Sequence, residues 1–234
     1  MKPASTTIVK KLSGEERRAA IVKAVRQVFA EKGFDGTTTR ELAVAAGVSE
    51  ALLFKHFPNK EALYSAMQLA CCNQKDSGQI ERLKALEPSA STLALLVHMF
   101  VSKVLAERAP DDERSIHGRL MLRSLTGDGE FARMFLEGMP THLNHWMAAC
   151  VEAAIADGDA HEGPVRVDVG CWFVQHLAVM VNTYALPEQR VVDYGLPQKK
   201  VVEQVVWFAL RGLGLKEEAI RRHYNPRALA LLEQ

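Results

Sequence analysis

The sequence has no apolar run near the roughly 20 residues that a bilayer-spanning helix requires. Its longest apolar stretches are broken by charges, histidine or glycine. The N-terminus is polar where a secretory signal would be apolar. The four cysteines, Cys71, Cys72, Cys150 and Cys171, show no C-x-x-C spacing, and the neighbours Cys71 and Cys72 are poorly placed to bridge each other. The expectation is a reduced, cytoplasmic protein without a membrane segment. There is no repeat of 20–50 residues, no low-complexity segment and no sustained strand-type alternation. Enzyme signatures are missing too: no G-x-S-x-G elbow, no G-x-x-x-x-G-K-[ST] loop, no H-E-x-x-H. Gly127-Asp128-Gly129 reads as a turn rather than a phosphate cradle. His142 and His145 have a metal-compatible i, i+3 spacing, but no paired motif supports them. No catalytic residue, cofactor or metal is therefore expected.

What is present is a chain of 234 residues, 48% hydrophobic and 24% charged, with a net charge of +1. That length accommodates a small head and one larger domain. The near-neutral total conceals an asymmetry. Residues 1–60 carry eleven Lys and Arg against six Asp and Glu, a net of +5, leaving −4 for the remainder. Excess positive charge at one end suits a head that meets phosphates.

Periodicity predicts an all-α fold. A helix from Gly14 to Lys32 places Ile21, Ala24, Val25, Val28 and Phe29 on one face and stops at Gly33. Next comes TTRELAVAAGVSEALLFKHFPNKEALY, from Thr38 to Tyr64. Thr38 and Glu41 have capping-box spacing. Gly47 sits where the chain must turn with positive φ, Ser49 is a good N-cap, and Pro58 ends the second short helix. Two short helices around a tight turn make a helix-turn-helix, whose second helix can enter the major groove. Taken alone, the turn fits an αα-corner in an ordinary helical domain equally well.

The segment GFDGTTTRELAVAAGVSEALLFKHFPNKEAL resembles the DNA-binding domain of the TetR family of bacterial transcriptional repressors. The resemblance covers about residues 12–65; beyond it the chain matches in length and helical character alone. It implies a DNA-binding domain at 13–60 and a helical ligand-binding and dimerisation domain at 61–234; residues 1–12, with Lys2, Lys10 and Lys11 among Ser and Thr, read as a flexible basic arm. It also implies DNA-contacting roles for Thr38, Thr39 and Arg40 at the start of the first short helix. Ser49, Glu50 and Ala51 match base-reading positions, Lys55 and His56 match later ones, and Lys60 matches a phosphate-holding lysine. Three residues depart from the family pattern. Leu52 replaces a phosphate-binding Thr or Ser, Phe54 replaces a frequent Tyr, and Glu50 replaces a common Lys. Glu50 either favours the helix dipole or accepts from a cytosine amino group, the dipole being the expected role.

Downstream, helices are predicted over Asn59–Leu86, Ser89–Glu107, Asp112–Leu125, Glu130–Gly138, Thr141–Ala156, Val165–Ala185 and Pro197–Gly212. Short tails are predicted at Lys216–Arg222 and Pro226–Leu232. The segments about 165–185 and 197–212 are apolar over more than one face, which fits either an intramolecular core or a four-helix homodimer interface; the resemblance implies the homodimer. The resemblance then implies a repressor released from a palindromic operator by a small, largely apolar effector; an effector-independent activator or architectural protein is the alternative. Candidate pocket residues are Met99, Met121, Met134, Phe135, His142, Trp146, Cys150, Trp172, Gln175, His176 and Asn182, each of which is also compatible with plain core packing.

Overall fold

A computed structural model describes residues 12–72, 85–106 and 112–229. The expected arm at 1–12 falls outside these residues except for Leu12, as does the stretch from 73 to 84 of the helix predicted to reach Leu86. Among the described residues there are twelve helices and no strand. An isolated antiparallel bridge between Ala160 and Leu215 is the one sheet-type pairing among these residues. The helices are α1 (Gly14–Lys32), α2 (Thr39–Ala45), α3 (Glu50–His56), α4 (Lys60–Cys72), α5 (Ala90–Leu105) and α6 (Glu113–Leu125), then α7 (Glu130–Leu136), α8 (Met139–Ala156), α9 (Val167–Thr183), α10 (Gln198–Gly212), α11 (Glu217–His223) and α12 (Pro226–Leu229). No helix of the described residues is long and apolar enough to cross a membrane.

The chain forms two compact units, Met1–Gln74 with Arg119–Phe131, and Lys75–Gly118 with Ala132–Gln234. In the first, α1 opens with a capping box: the Ser13 hydroxyl accepts from the Glu16 amide and the Glu16 carboxylate accepts from the Ser13 amide. Ile21, Val25 and Phe29, spaced by four, lie almost wholly out of solvent. Phe34 folds back to stack on Phe29, and Tyr64 of α4 meets Phe29 edge-on at 4.9 Å. Leu63 and Met67 then carry α4 along α1.

This unit also recruits a distant segment. Arg123, in the last turn of α6, donates to the carbonyls of Ala30 and Glu31. These are among the last α1 carbonyls, which have no partner within the helix. Gly33, at φ 73°, lies beneath the same guanidinium.

In the second unit α5 is the central helix, packed by α8, α9, α10 and α11. Leu93, Leu96, Val97 and Val101 supply its buried face. Buried His98 lies 3.3 Å from the Tyr224 hydroxyl. The turn after α8 is clasped by α11 and its N-cap: Asp159 meets Arg222 at 3.1 Å and His223 at 2.9 Å, and Lys216 donates to the Gly158 carbonyl. The sequence places the end of one helix at Pro140 and a new start at Thr141, whereas α8 begins at Met139 and holds Pro140 in its first turn. An N–H there has no intrahelical partner, so proline costs little.

Candidate nucleic-acid interface

Local chemistry fixes the two short helices before any partner is considered. The Thr38 hydroxyl accepts from the Glu41 amide and donates to the Glu41 carboxylate, which also accepts from the Thr38 amide at 2.9 Å. Lys32 pairs with the same carboxylate. The Lys32 contact, followed by the Thr38 hydrogen bonds, pulls the Glu41 pKa down to about 2. Gly47 then turns the chain at φ 63°, with its amide to Val44 and the Val48 amide to Ala43. Ser49 caps α3 by accepting from the Leu52 amide at 3.2 Å.

On α3 the inward side is Leu53, 2% exposed, followed by Phe57 at 1%. Glu50, Ala51, Phe54 and Lys55 are exposed, while Leu52 and His56 are half-buried. Arg18 of α1 secures the far end, donating to the His56 carbonyl and stacking 4.1 Å over the Phe57 ring. Two inward anchors and a tether at the C-terminus leave the opposite flank free to meet a partner.

The Thr39 hydroxyl donates to Glu50 Oε2 at 2.9 Å. This bond joins the first turns of α2 and α3, so Thr38, Thr39 and Arg40 share one edge of the unit with Ser49, Glu50 and Ala51. Arg40 is exposed on that edge, and Lys55 stands one turn beyond Ala51. Lys60 is placed differently. Its ammonium donates to the carbonyls of Phe34 and Thr37 and sits over the Phe34 ring. Two of its three N–H groups thus hold the α1–α2 loop. Neither the Thr39–Glu50 bond nor the Lys60 anchorage has a signature in sequence spacing, since each joins residues from separate elements.

The candidate pocket residues are found in differing surroundings. Met121 is buried in the first unit. Cys150 is fully buried in the core of the second, with its thiol pKa raised by desolvation. Buried Gln175 donates to the Pro140 carbonyl at 3.1 Å and contacts Asn144, tying α9 to α8. Trp146 is half-buried against the core. Phe135 meets His117 edge-on at 4.4 Å, and Trp172 stacks on exposed His176 at 6.0 Å. Met99, Met134 and Asn182 are half-buried, and His142 is exposed with Nδ1 2.9 Å from the Gly138 carbonyl. A groove of about 550 Å³ lies between α8, the 161–166 loop and the end of α10, and none of these residues lines it. Among the described residues no three His, Cys, Asp or Glu gather as a metal site would require.

Residues 21–67 match the family model for bacterial regulatory proteins of the tetR family. An HTH-type transcriptional repressor of Mycobacterium tuberculosis, Rv1474c, is 31% identical over 122 residues, covering 52% of this chain and 57% of its own. The HTH-type transcriptional activator FasR of Mycolicibacterium smegmatis is 30% identical over 90 residues, 38% of this chain and 41% of its own. The chain spans about half the length of the curated relatives it matches. Among solved structures, AibR in complex with isovaleryl coenzyme A and operator DNA superposes with a TM-score of 0.61 at 19% identity, over 82% of this chain and 97% of that one. At that identity the likeness is one of fold.

Proposed function

We propose that this chain, a TetR-family protein by its helix-turn-helix domain, is a sequence-specific DNA-binding transcriptional regulator that acts as a homodimer on a palindromic operator. The observation that carries this reading is α3 itself. It is pinned by Leu53, Phe57 and Arg18, while Glu50, Ala51, Phe54 and Lys55 stand in solvent. A seven-residue helix touches few bases, so affinity and specificity call for a second copy. Two copies related by a two-fold axis would meet successive major grooves about 34–36 Å apart.

The exposed apolar residues of the second unit suit that pairing. Phe173 and Met180 of α9 and Phe208 of α10 are 58%, 43% and 70% exposed, on helices whose other sides are buried in the core. A pair of such faces forms a self-complementary interface. Repression relieved by a small, largely apolar molecule is the mode we favour. Repression is supported by a curated relative that is a repressor, and a ligand by a fold neighbour that holds both isovaleryl coenzyme A and operator DNA; the apolar character of the effector is our own expectation. Effector-independent control competes with it, because Gln175 and Cys150 are used in helix packing.

Gel shifts with duplex DNA from the region upstream of the gene test the proposal. A complex that survives excess random DNA supports it, and binding indifferent to sequence defeats it. Thermal-shift screening with acyl-type and other hydrophobic compounds then separates the effector-responsive mode from its rival.

A further inference from the structure

We propose that Glu50 reads a cytosine, accepting a hydrogen bond from its exocyclic amino group in the major groove; this rests on the DNA-binding reading above. Three observations lead there. Glu50 opens α3 and is exposed on the edge shared with α2. Its Oε2 accepts from the Thr39 hydroxyl at 2.9 Å, so the carboxylate is aimed across that edge rather than back onto the amides of its own helix. Among the described residues no cation pairs with it, although Arg40 and Lys55 stand on the same two helices.

An ionised carboxylate only accepts hydrogen bonds, and the double helix surrounds it with other acceptors. Phosphate oxygens repel it, as do guanine N7 and O6 and thymine O4. The major-groove donors are the amino groups of cytosine and adenine. Adenine carries an acceptor, N7, beside its amino group, and an approaching carboxylate would lie against that lone pair. Cytosine's own groove edge carries no acceptor beside its amino group, only C5–H; the O6 of the paired guanine lies across the pair, just as thymine O4 does for adenine. Oε2 is engaged by Thr39, which leaves Oε1 uncommitted for a base donor. The Thr39 bond also fixes a long side chain in advance, lowering the rotamer entropy lost on docking. A carboxylate serving the helix dipole alone would need no partner on α2.

Selection of duplexes randomised over about 20 base pairs, two helical turns, tests the inference with the full chain and with Glu50→Ala, Glu50→Gln and Thr39→Val. The wild type is expected to select cytosine at one symmetric position in each half-site. Exchanging that C·G pair for T·A in both halves should weaken binding by about tenfold or more. Glu50→Ala and Glu50→Gln should lose preference there and nowhere else, and Thr39→Val should blunt it. The inference is overturned if wild type and Glu50→Ala select the same bases throughout, including the case in which Glu50→Ala binds every duplex more tightly, or if the wild type selects adenine at that position. Failure of all four proteins to retain any duplex preferentially overturns the DNA-binding reading instead. Because Glu50 is exposed, unchanged thermal midpoints for its variants keep folding out of the comparison.

Discussion

The Lys60 ammonium lies 4.2 Å from the centre of the Phe34 ring and 2.9 Å from the Phe34 carbonyl oxygen. One side chain at the start of α4 thus holds the loop that delivers the chain into α2, through charge, hydrogen bond and ring face together. The two carbonyls leave a third N–H, which we propose meets a phosphate.

Lys60→Ala should therefore do two things. Loss of the loop contacts should lower stability by roughly 1–2 kcal/mol, the scale of charge-assisted hydrogen bonds, seen as a reduced thermal midpoint. Binding to all DNA sequences should weaken, and the slope of log affinity against log salt should shrink by about one unit. A normal slope with a reduced midpoint would assign Lys60 to the loop alone.

Glu41 makes the head acid-sensitive. Its folded pKa, about 2, lies below the unfolded carboxylate value. The stabilisation it provides is present above about pH 4.5 and is lost as pH falls toward 2. Thermal unfolding at pH 5 and pH 3 should show a steeper loss for wild type than for Glu41→Gln, whose partners no longer depend on ionisation. Parallel losses would reject the assignment.

Arg123→Ala removes the donors on Ala30 and Glu31. A cost of about 1 kcal/mol in chemical denaturation is expected, accompanied by weaker DNA binding, because α1 supports both short helices. A variant with wild-type midpoint and affinity would show that water replaces the guanidinium without loss.

The thiols of Cys150 and Cys171 should resist alkylation at pH 8. Both are fully buried, and desolvation first, then nearby negative charge, pushes Cys171 up to about 12. The thiolate is the reacting form. Mass spectrometry after iodoacetamide should find both unmodified in the folded protein and modified after unfolding.

Phe173→Glu combined with Phe208→Glu should yield monomers in sedimentation velocity. Affinity for a palindromic duplex should drop by about a hundredfold or more, as the second contact is no longer tethered to the first. Dimers that persist would place the interface elsewhere.

The helix-turn-helix was readable in the sequence because its signals are local. Thr38 and Glu41 are three residues apart, Gly47 stands alone at its turn, and Ser49 and Pro58 bracket α3. The α1 capping box, Ser13 with Glu16, is equally local, yet the periodicity of apolar residues marked only the helix itself. Contacts such as Arg123 with Ala30, 93 residues apart, leave no pattern in a single sequence. The same holds for Lys60, whose family position suggests a phosphate but whose ammonium is largely committed to Phe34 and Thr37. The pocket candidates stand out in the sequence by residue type alone. Type does not separate a lining residue from Gln175, whose amide spans two helices, or from Cys150, which is sealed in the core.

The grip of Arg123 on the end of α1 has a practical corollary for recombining regulators. A chimaera spliced once, just after α4, would import a foreign residue at the guanidinium's place and strip the transplanted reader of its brace. Three junctions, one behind α4 and one on each side of the stretch Arg119–Phe131, are the minimum for moving this head intact.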